Sequence, residues 1–115
     1  MAWEVEVSNE FRQWYDALDE ADSVNVDTAV DLLAEAGPTL GRPHVDTLKG
    51  SIYTNLKELR VQSSGRPLRI LFAFDPRRSA YLILGGDKTG NGNWYIDAIR
   101  RAEAIYSRCL KEIGG

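Results

Sequence analysis

The chain has 115 residues, enough for one hydrophobic core and too few for two, so we expect a single domain over residues 1–115. Hydrophobic residues make up 43% and charged residues 27%, which is typical of a globular protein and excludes a disordered chain. A single cysteine excludes an internal disulfide and a Cys-rich zinc site. The apolar runs are too short to cross a membrane and no signal-peptide pattern is visible, so we expect a cytoplasmic protein.

The net charge of −3 conceals two oppositely charged segments. Residues 1–48 contain two Lys/Arg and eleven Asp/Glu, a net of −9, whereas residues 49–101 contain ten Lys/Arg and four Asp/Glu, a net of +6. Such asymmetry is typical of a protein that turns one surface towards an anionic partner. Acidic helices that simply attract a basic sheet would give the same pattern, so charge alone leaves both interpretations open.

The first third of the chain predicts a strand followed by two helices. Trp3–Val7 alternates apolar and acidic residues with the period of a half-buried strand. Apolar residues spaced three and four apart then predict a first helix over Asn9–Asp19. A second helix should begin at Asp22 or Ser23 and end at Gly37–Pro38, because glycine and then proline prevent its continuation. Few residues join the two helices, which should therefore form an antiparallel pair.

Residues 38–55 contain two prolines and two glycines and predict a connecting loop. This loop holds the only histidine, His44, so a general acid/base pair of two histidines is excluded. The acids of the helices should form a solvated face, because no carboxylate pair lies at ligand spacing from a histidine. We therefore expect neither a metal ion nor another cofactor.

Three strands and a long helix follow the loop. Leu56–Gln62 alternates, whereas Pro67–Asp75 and Ala80–Leu84 are almost continuously apolar, which predicts an antiparallel meander whose middle strand is buried on both faces. Trp94 to about Ile113 should form an amphipathic helix, with the cysteine on its buried stripe. The order β-α-α-β-β-β-α predicts the α+β class, with a small, mostly antiparallel sheet, an N-terminal helix pair and a C-terminal helix.

Burial predicts how the first two strands of the meander pair. If Leu59 lies beside Ile70, the apolar side chains of both strands share one face, and Glu58, Arg60 and Arg69 must share the opposite face. Two arginines are thus predicted side by side, away from the main core. The pattern alone does not distinguish a binding site from two arginines whose stems cover apolar sheet surface.

The stretch from Leu56 to Tyr95 and the helix after it resemble the RelE/HigB superfamily of bacterial toxins, in particular its phage-derived HigB-like branch. The matching segments agree with that family in order and spacing: LKELR (56–60), SSG…LRI (63–70), FAFD (72–75), LILGGDK (82–88) and WYIDAIRRAEAIY (94–106). The resemblance implies a RelE-like fold and the toxin of a type II toxin–antitoxin pair. It also implies a metal-independent endoribonuclease that cleaves mRNA in the ribosomal A site and inhibits translation.

The resemblance implies partners as well. A cognate HigA-like antitoxin with a helix-turn-helix fold would neutralise the toxin, and operator DNA would be reached only through that antitoxin. The ribosome and mRNA would be the targets, with no role for a membrane. The acidic N-terminal helices and the apolar C-terminal helix are both candidates for the antitoxin contact, and the sequence does not choose between them.

The resemblance also implies site residues. Arg69 matches the family's arginine after the hairpin glycine, Arg60 its strand arginine, Lys88 its basic residue after the last strand, and Tyr95 the tyrosine that opens its C-terminal helix. The two arginines could clamp the scissile phosphate, because guanidinium groups make planar, bidentate contacts to oxyanions. Where RelE-type relatives have a catalytic lysine, this chain has Glu58, which could be a general base, a partner of Arg60 or a cause of weaker activity. The general base therefore stays open between Glu58, Tyr95 and neither.

Further residues are expected to hold RNA through phosphate contacts or base stacking. They are Lys57, Arg66, Arg77, Arg78, Arg100 and Trp94. Two other functions also stay open. One is ParE-like inhibition of DNA gyrase on the same fold, and the other is a catalytically weak toxin homologue that acts only as an antitoxin-binding co-repressor.

Overall fold

The computed structural model describes residues 2–114, over which one five-stranded sheet is covered by helices on both faces. In chain order the elements are β1 (Glu4–Val7), α1 (Asn9–Asp16), α2 (Glu20–Ala36), a 3-10 turn (Gly37–Thr39), β2 (Val45–Thr47), β3 (Lys57–Ser63), β4 (Arg66–Phe74), β5 (Ser79–Asp87) and α3 (Trp94–Gly114). This architecture confirms the α+β class. None of the helices in this part of the chain is long and apolar enough to cross a membrane.

The strand order across the sheet is β1-β5-β4-β3-β2. Strands β3, β4 and β5 form the predicted antiparallel meander, while β1 pairs in parallel with β5 at one edge. Leu59 lies opposite Ile70, and Arg60 lies opposite Arg69, as burial predicted. The predicted register is therefore confirmed.

Several boundaries differ from the prediction, and helix α2 begins at Glu20 rather than at Asp22 or Ser23. Helix α1 ends at Asp16 rather than Asp19, because Asp19 instead caps α2 by accepting a 2.8 Å hydrogen bond from the backbone N–H of Asp22. The predicted loop contains the short strand β2, whose Asp46 and Thr47 give no apolar signal. Strand β5 continues three residues beyond Leu84.

The extension of β5 depends on two glycines that let indole rings pack directly on the strand. The ring of Trp14, from α1, lies on Gly85, and the ring of Trp94, at the start of α3, lies on Gly86. A Cβ on Gly86 would lie 2.7 Å from the Trp94 ring, closer than real Cβ contacts come. Since Gly86 lies opposite Arg69 in the sheet, this approach places the beginning of α3 beside the paired arginines.

The two faces of the sheet have separate cores. Helices α1 and α2 cover one, in which Phe72 and Leu59 are fully buried. Helix α3 covers the other, in which Leu71 and Tyr106 are buried, so β4 is buried on both faces as predicted. The expectation that the arginine pair lies away from the main core needs one correction. That face has a core of its own, and Arg69 is only 9% exposed.

Candidate functional site

Glu58 lies at the centre of a charged cluster on the α3 face of the sheet. Its Oε1 accepts a 2.5 Å hydrogen bond from the Tyr95 hydroxyl and lies 3.3 Å from Nε of Arg69. Its Oε2 lies 3.5 Å from Nη2 of Arg60. Glu58 is only 6% exposed, and a buried carboxylate is tolerated only when cations and donors surround it. One carboxylate thus gathers two arginines and a tyrosine around itself.

Three elements position these side chains. Glu58 and Arg60 are two residues apart on β3 and therefore point the same way, and Arg69 on β4 lies directly opposite Arg60. Tyr95 comes from the first turn of α3, where the packing of Trp94 on Gly86 fixes the helix against the sheet. The structure therefore brings together residues that the sequence separates by 37 positions.

The two arginines are held in place but are not saturated with hydrogen bonds. Nη1 of Arg69 donates a 2.9 Å hydrogen bond to the Leu68 carbonyl, and Nη2 of Arg60 lies 3.4 Å from Oδ2 of Asp46. The Nε atoms of both arginines are buried and make no hydrogen bond within residues 2–114. Nε of Arg69 lies close to Oε1 of Glu58, but the N–H group does not point at that oxygen well enough for a hydrogen bond. Buried donors without acceptors are uncommon, and here they leave capacity for an anionic ligand.

Tyr95 is held as a hydrogen-bond donor. Burial, together with its hydrogen bond to Glu58, raises the pKa of Tyr95 above its ordinary value, and nearby Arg69 only partly offsets this. The phenol therefore keeps its proton at neutral pH. Of the candidates left open by the sequence, this environment disfavours Tyr95 as the general base.

Lys88 and Trp94 join the same cluster. Nζ of Lys88 lies 5.3 Å from the centroid of the Tyr95 ring, a cation–π distance, and the Trp94 and Tyr95 rings meet edge to face at 5.1 Å. The backbone N–H of Lys88 donates to the Pro67 carbonyl at 3.1 Å, which ties the segment after β5 to the start of β4. All five predicted catalytic positions thus lie together.

Two of the predicted RNA-binding cations lie on the other face of the sheet. Lys57 lies opposite Phe72 and donates to Thr47 at 3.3 Å. Arg66, at the β3–β4 turn, is ion-paired with Asp22 and, at 3.1 Å, with Asp87. The RNA-binding role of both residues stays a prediction. The charge of Arg66 is already neutralised by its two acidic partners.

Two more of these cations lie in the turn between β4 and β5, beyond the end of β4 at Phe74, which is five strand residues or roughly 17 Å from Arg69. Arg77 is ion-paired with Asp75 at 2.6 Å, and the guanidinium of Arg78 stacks 5.7 Å from the centroid of the Trp3 ring. The remaining predicted cation, Arg100, lies near the cluster, in a cleft that Tyr95 also lines.

Sequence reasoning missed Asp46, which lies directly opposite Glu58 on β2. It accepts from Nη2 of Arg42 at 2.9 Å as well as from Arg60, and the hydrogen bond from Arg42 lowers the pKa of Asp46. Recognising a strand at residues 45–47 would have revealed this carboxylate, because pairing with β3 places it beside the site. Among residues 2–114, no group of three or more His, Cys, Asp or Glu side chains is arranged to hold a metal ion.

Comparison with known proteins identifies the class to which this fold belongs. The chain of the free E. coli toxin RelE, solved as a double-arginine mutant, superposes with a TM-score of 0.63 over 88% of this chain and 98% of RelE. The sequence identity is 14%, so this likeness shows the fold alone. Together with the sequence relatives below, it places the protein in the RelE/HigB toxin superfamily.

Within that superfamily the chain belongs to the family described as "Phage derived protein Gp49-like", whose profile matches residues 13–107. A Mycobacterium tuberculosis protein named "Putative toxin HigB3" is 50% identical over 92 residues, or 79% of each chain. A second protein of that organism, "Putative toxin HigB2", is 40% identical over 114 residues, which cover 97% of this chain. The match spans only 56% of that relative's length.

Proposed function

We propose that the protein is the toxin of a type II toxin–antitoxin pair and cleaves mRNA in the ribosomal A site at the cluster centred on Glu58. The observation that carries the nuclease assignment is the convergence of Arg60, Arg69 and the Tyr95 hydroxyl on one buried point. The names of the HigB relatives support the toxin assignment. In this proposal the protein acts in the cytoplasm, and a HigA-like helix-turn-helix antitoxin neutralises it.

Cleavage of RNA by its own 2′-hydroxyl needs a base for that hydroxyl, stabilisation of the phosphorane and a proton for the leaving 5′-oxygen. Arg60 and Arg69 are suited to the second task, because their neighbouring guanidinium groups can contact non-bridging oxygens and each retains a free Nε–H. The Tyr95 hydroxyl, which keeps its proton, can donate a third hydrogen bond to the same phosphate.

Glu58 occupies the point that the phosphate oxygens need. An entering phosphate therefore has to exchange places with the carboxylate, taking over its contacts to Arg69 and Tyr95. The released carboxylate stays beside the bound phosphate and accepts the proton of the 2′-hydroxyl, whose oxygen then attacks phosphorus. Lys88, which unlike arginine has a transferable proton, supplies it to the leaving 5′-oxygen. The products are a 2′,3′-cyclic phosphate and a 5′-hydroxyl.

A second candidate function is favoured by the charge balance of the site. Glu58 and Asp46 together offset the charges of Arg60 and Arg69, so RNA meets a less positive surface than two bare arginines would offer. A site of this kind fits a catalytically weak homologue that binds its antitoxin and acts as a co-repressor of its operon.

Toeprinting of translating ribosomes with purified protein tests the proposal. We expect A-site cleavage by the wild-type protein and by Arg12→Ala, a control that removes an exposed arginine of α1 on the other face of the sheet, and its loss in Arg69→Ala. Growth arrest without any A-site cleavage would overturn the nuclease assignment, and a DNA supercoiling assay would then test gyrase inhibition of the ParE type. Antitoxin binding with neither arrest nor cleavage would support the co-repressor.

A further inference from the structure

Tyr95 borders a second feature besides the Glu58 cluster, an open cleft of about 380 Å³ between the start of α3 and the segment that follows β2. Its lining combines apolar and basic side chains: Lys49, Tyr95, Ile96, Ile99, Arg100 and Glu103. The four residues from Ile96 to Glu103 in this set are spaced three, one and three apart, so they form one stripe along α3. The cleft is therefore continuous with the candidate site through one tyrosine.

The apolar surface in and beside the cleft is open to solvent. Ile96 is 59% exposed, and Ile52, in the segment beside Lys49 and Gly50, is 75% exposed. They are two of the four large hydrophobic residues that are exposed within residues 2–114. Their proximity to one cleft marks a surface suited to a flat, weakly polar group.

The charges that flank this surface are both positive and are not neutralised. The only acid in the lining, Glu103, accepts hydrogen bonds at 2.9 Å from the Ser51 hydroxyl and at 2.8 Å from the backbone N–H of Ile52, so it serves to hold the segment against α3. Neither Lys49 nor Arg100 forms an ion pair within the part of the chain that the structure describes. Two free cations beside an exposed apolar wall fit an unpaired nucleotide, which has a flat base and an anionic phosphate.

We propose that this cleft is a subsite for single-stranded RNA that holds the nucleotide next to the scissile phosphate. The base packs against Ile96 and the Tyr95 ring, and the phosphate of that nucleotide lies between Lys49 and Arg100. This inference rests on the proposed function, because it takes the Glu58 cluster as the point of cleavage. RNA is favoured over a protein partner because both flanking charges are cationic and the cleft adjoins the arginine pair.

Binding of a short single-stranded RNA tests the subsite without requiring cleavage. The probe is a fluorescent oligonucleotide with 2′-methoxy groups throughout, so that no 2′-hydroxyl can attack, and its affinity is measured by anisotropy at several salt concentrations. We expect Lys49→Gln/Arg100→Gln to bind about tenfold more weakly. The magnitude of its salt slope should fall by about 0.7, the value for one phosphate of a single strand that is no longer neutralised. The matched control Arg101→Gln/Lys111→Gln removes two exposed cations of α3 outside the cleft and should change both values little.

A second variant separates base packing from charge. Ile96→Ala should weaken binding about fivefold with an unchanged salt slope, because it removes apolar contact and no phosphate contact. Since Ile96 is largely exposed, we expect the variant to fold normally, which circular dichroism checks.

Each outcome decides the subsite separately from the nuclease assignment. Cleft variants that bind the oligonucleotide as the control does, or a wild-type protein that does not bind it, would overturn the subsite even if ribosomes show A-site cleavage. Wild-type protein that binds RNA through the cleft but cleaves no mRNA would support RNA binding by the cleft and overturn both the nuclease assignment and the place of the bound nucleotide next to a scissile phosphate. Cleft variants that lose only antitoxin binding would show a protein interface instead and make the inference wrong.

Discussion

The two faces of β3 and β4 are built from alternating residues of the same segments but have opposite chemistry. On the face covered by α1 and α2, Leu59 and Ile70 are fully buried among apolar side chains. On the face covered by α3, the adjacent residues Glu58 and Arg69 are nearly as buried but charged. Burying apolar area stabilises a fold directly, whereas a buried ion pair loses about as much in desolvation as it gains. At these positions one face therefore stabilises the fold, and the other holds charges ready for a ligand.

The α3 face is itself divided along its length. Its charged end, beside Tyr95, is covered by the first turn of α3, and its other end is an apolar core in which Tyr81 packs against Tyr106. Cys109 is buried at this apolar end, where burial raises the pKa of its thiol and keeps it protonated. The helix thus anchors itself by its later turns and contributes to the site with its first.

The largest loss of stability is expected from a substitution on the apolar face. Phe72→Ala should lower the free energy of unfolding by about 3–5 kcal/mol, because the ring is fully buried and the sheet cannot close over the cavity. Urea denaturation measures this loss. A cost below about 1 kcal/mol would contradict the assignment of Phe72 to a tightly packed core on this face.

On the charged face the largest effect should be on activity. Arg69→Ala should lower the rate of mRNA cleavage by about 10²–10³-fold, the usual effect of removing one preorganised donor to a transition-state anion, and should abolish toxicity. The fold should persist, since apolar burial elsewhere supports it. Arg69→Lys should not restore activity, because an ammonium lacks the planar fork. A folded, fully toxic Arg69→Ala protein would remove Arg69 from the site.

Glu58→Gln keeps the shape of the side chain and removes its charge. If the carboxylate is the base, cleavage should fall about 100-fold at neutral pH, while affinity for uncleavable RNA rises because the arginines lose their internal partner. Cleavage rates and RNA anisotropy measure the two effects, with Asp46→Asn as the control for simple loss of a nearby negative charge. Unchanged cleavage at all pH values would exclude Glu58 as the base. Faster cleavage would show that its charge weakens the site.

The smallest effect concerns an acid outside the proposed site. Hydrogen bonds from Ser63 and then Arg66 lower the pKa of Asp22. Because the folded pKa is the lower one, this contribution to stability is present above the ordinary aspartate range near 3.9 and is lost as the pH falls through the folded pKa. Asp22→Asn should therefore lower the Tm by a few degrees at pH 6, and the gap should close towards pH 3. A gap that is constant with pH, or equally large in the exposed control Asp31→Asn, would contradict this.

The sequence by itself determined the meander, its register and the face shared by Glu58, Arg60 and Arg69. These features follow from alternation and burial, which are local: a one-residue slip of β3 against β4 would turn Leu59 and Ile70 towards the wrong side. The family resemblance added Lys88 and Tyr95 as candidate site residues, and the structure places both in the cluster around Glu58.

Only the tertiary structure decided which charges meet. The bond from Tyr95 to Glu58 spans 37 residues and the pairing of Arg66 with Asp22 spans 44, and both depend on how helices pack on the sheet. The short edge strand β2, which contains Asp46, could not be predicted from the sequence either. Its three residues have no apolar pattern and form a strand only because β3 pairs with them. Local periodicity sets the face on which a side chain lies, and long-range packing sets its partners.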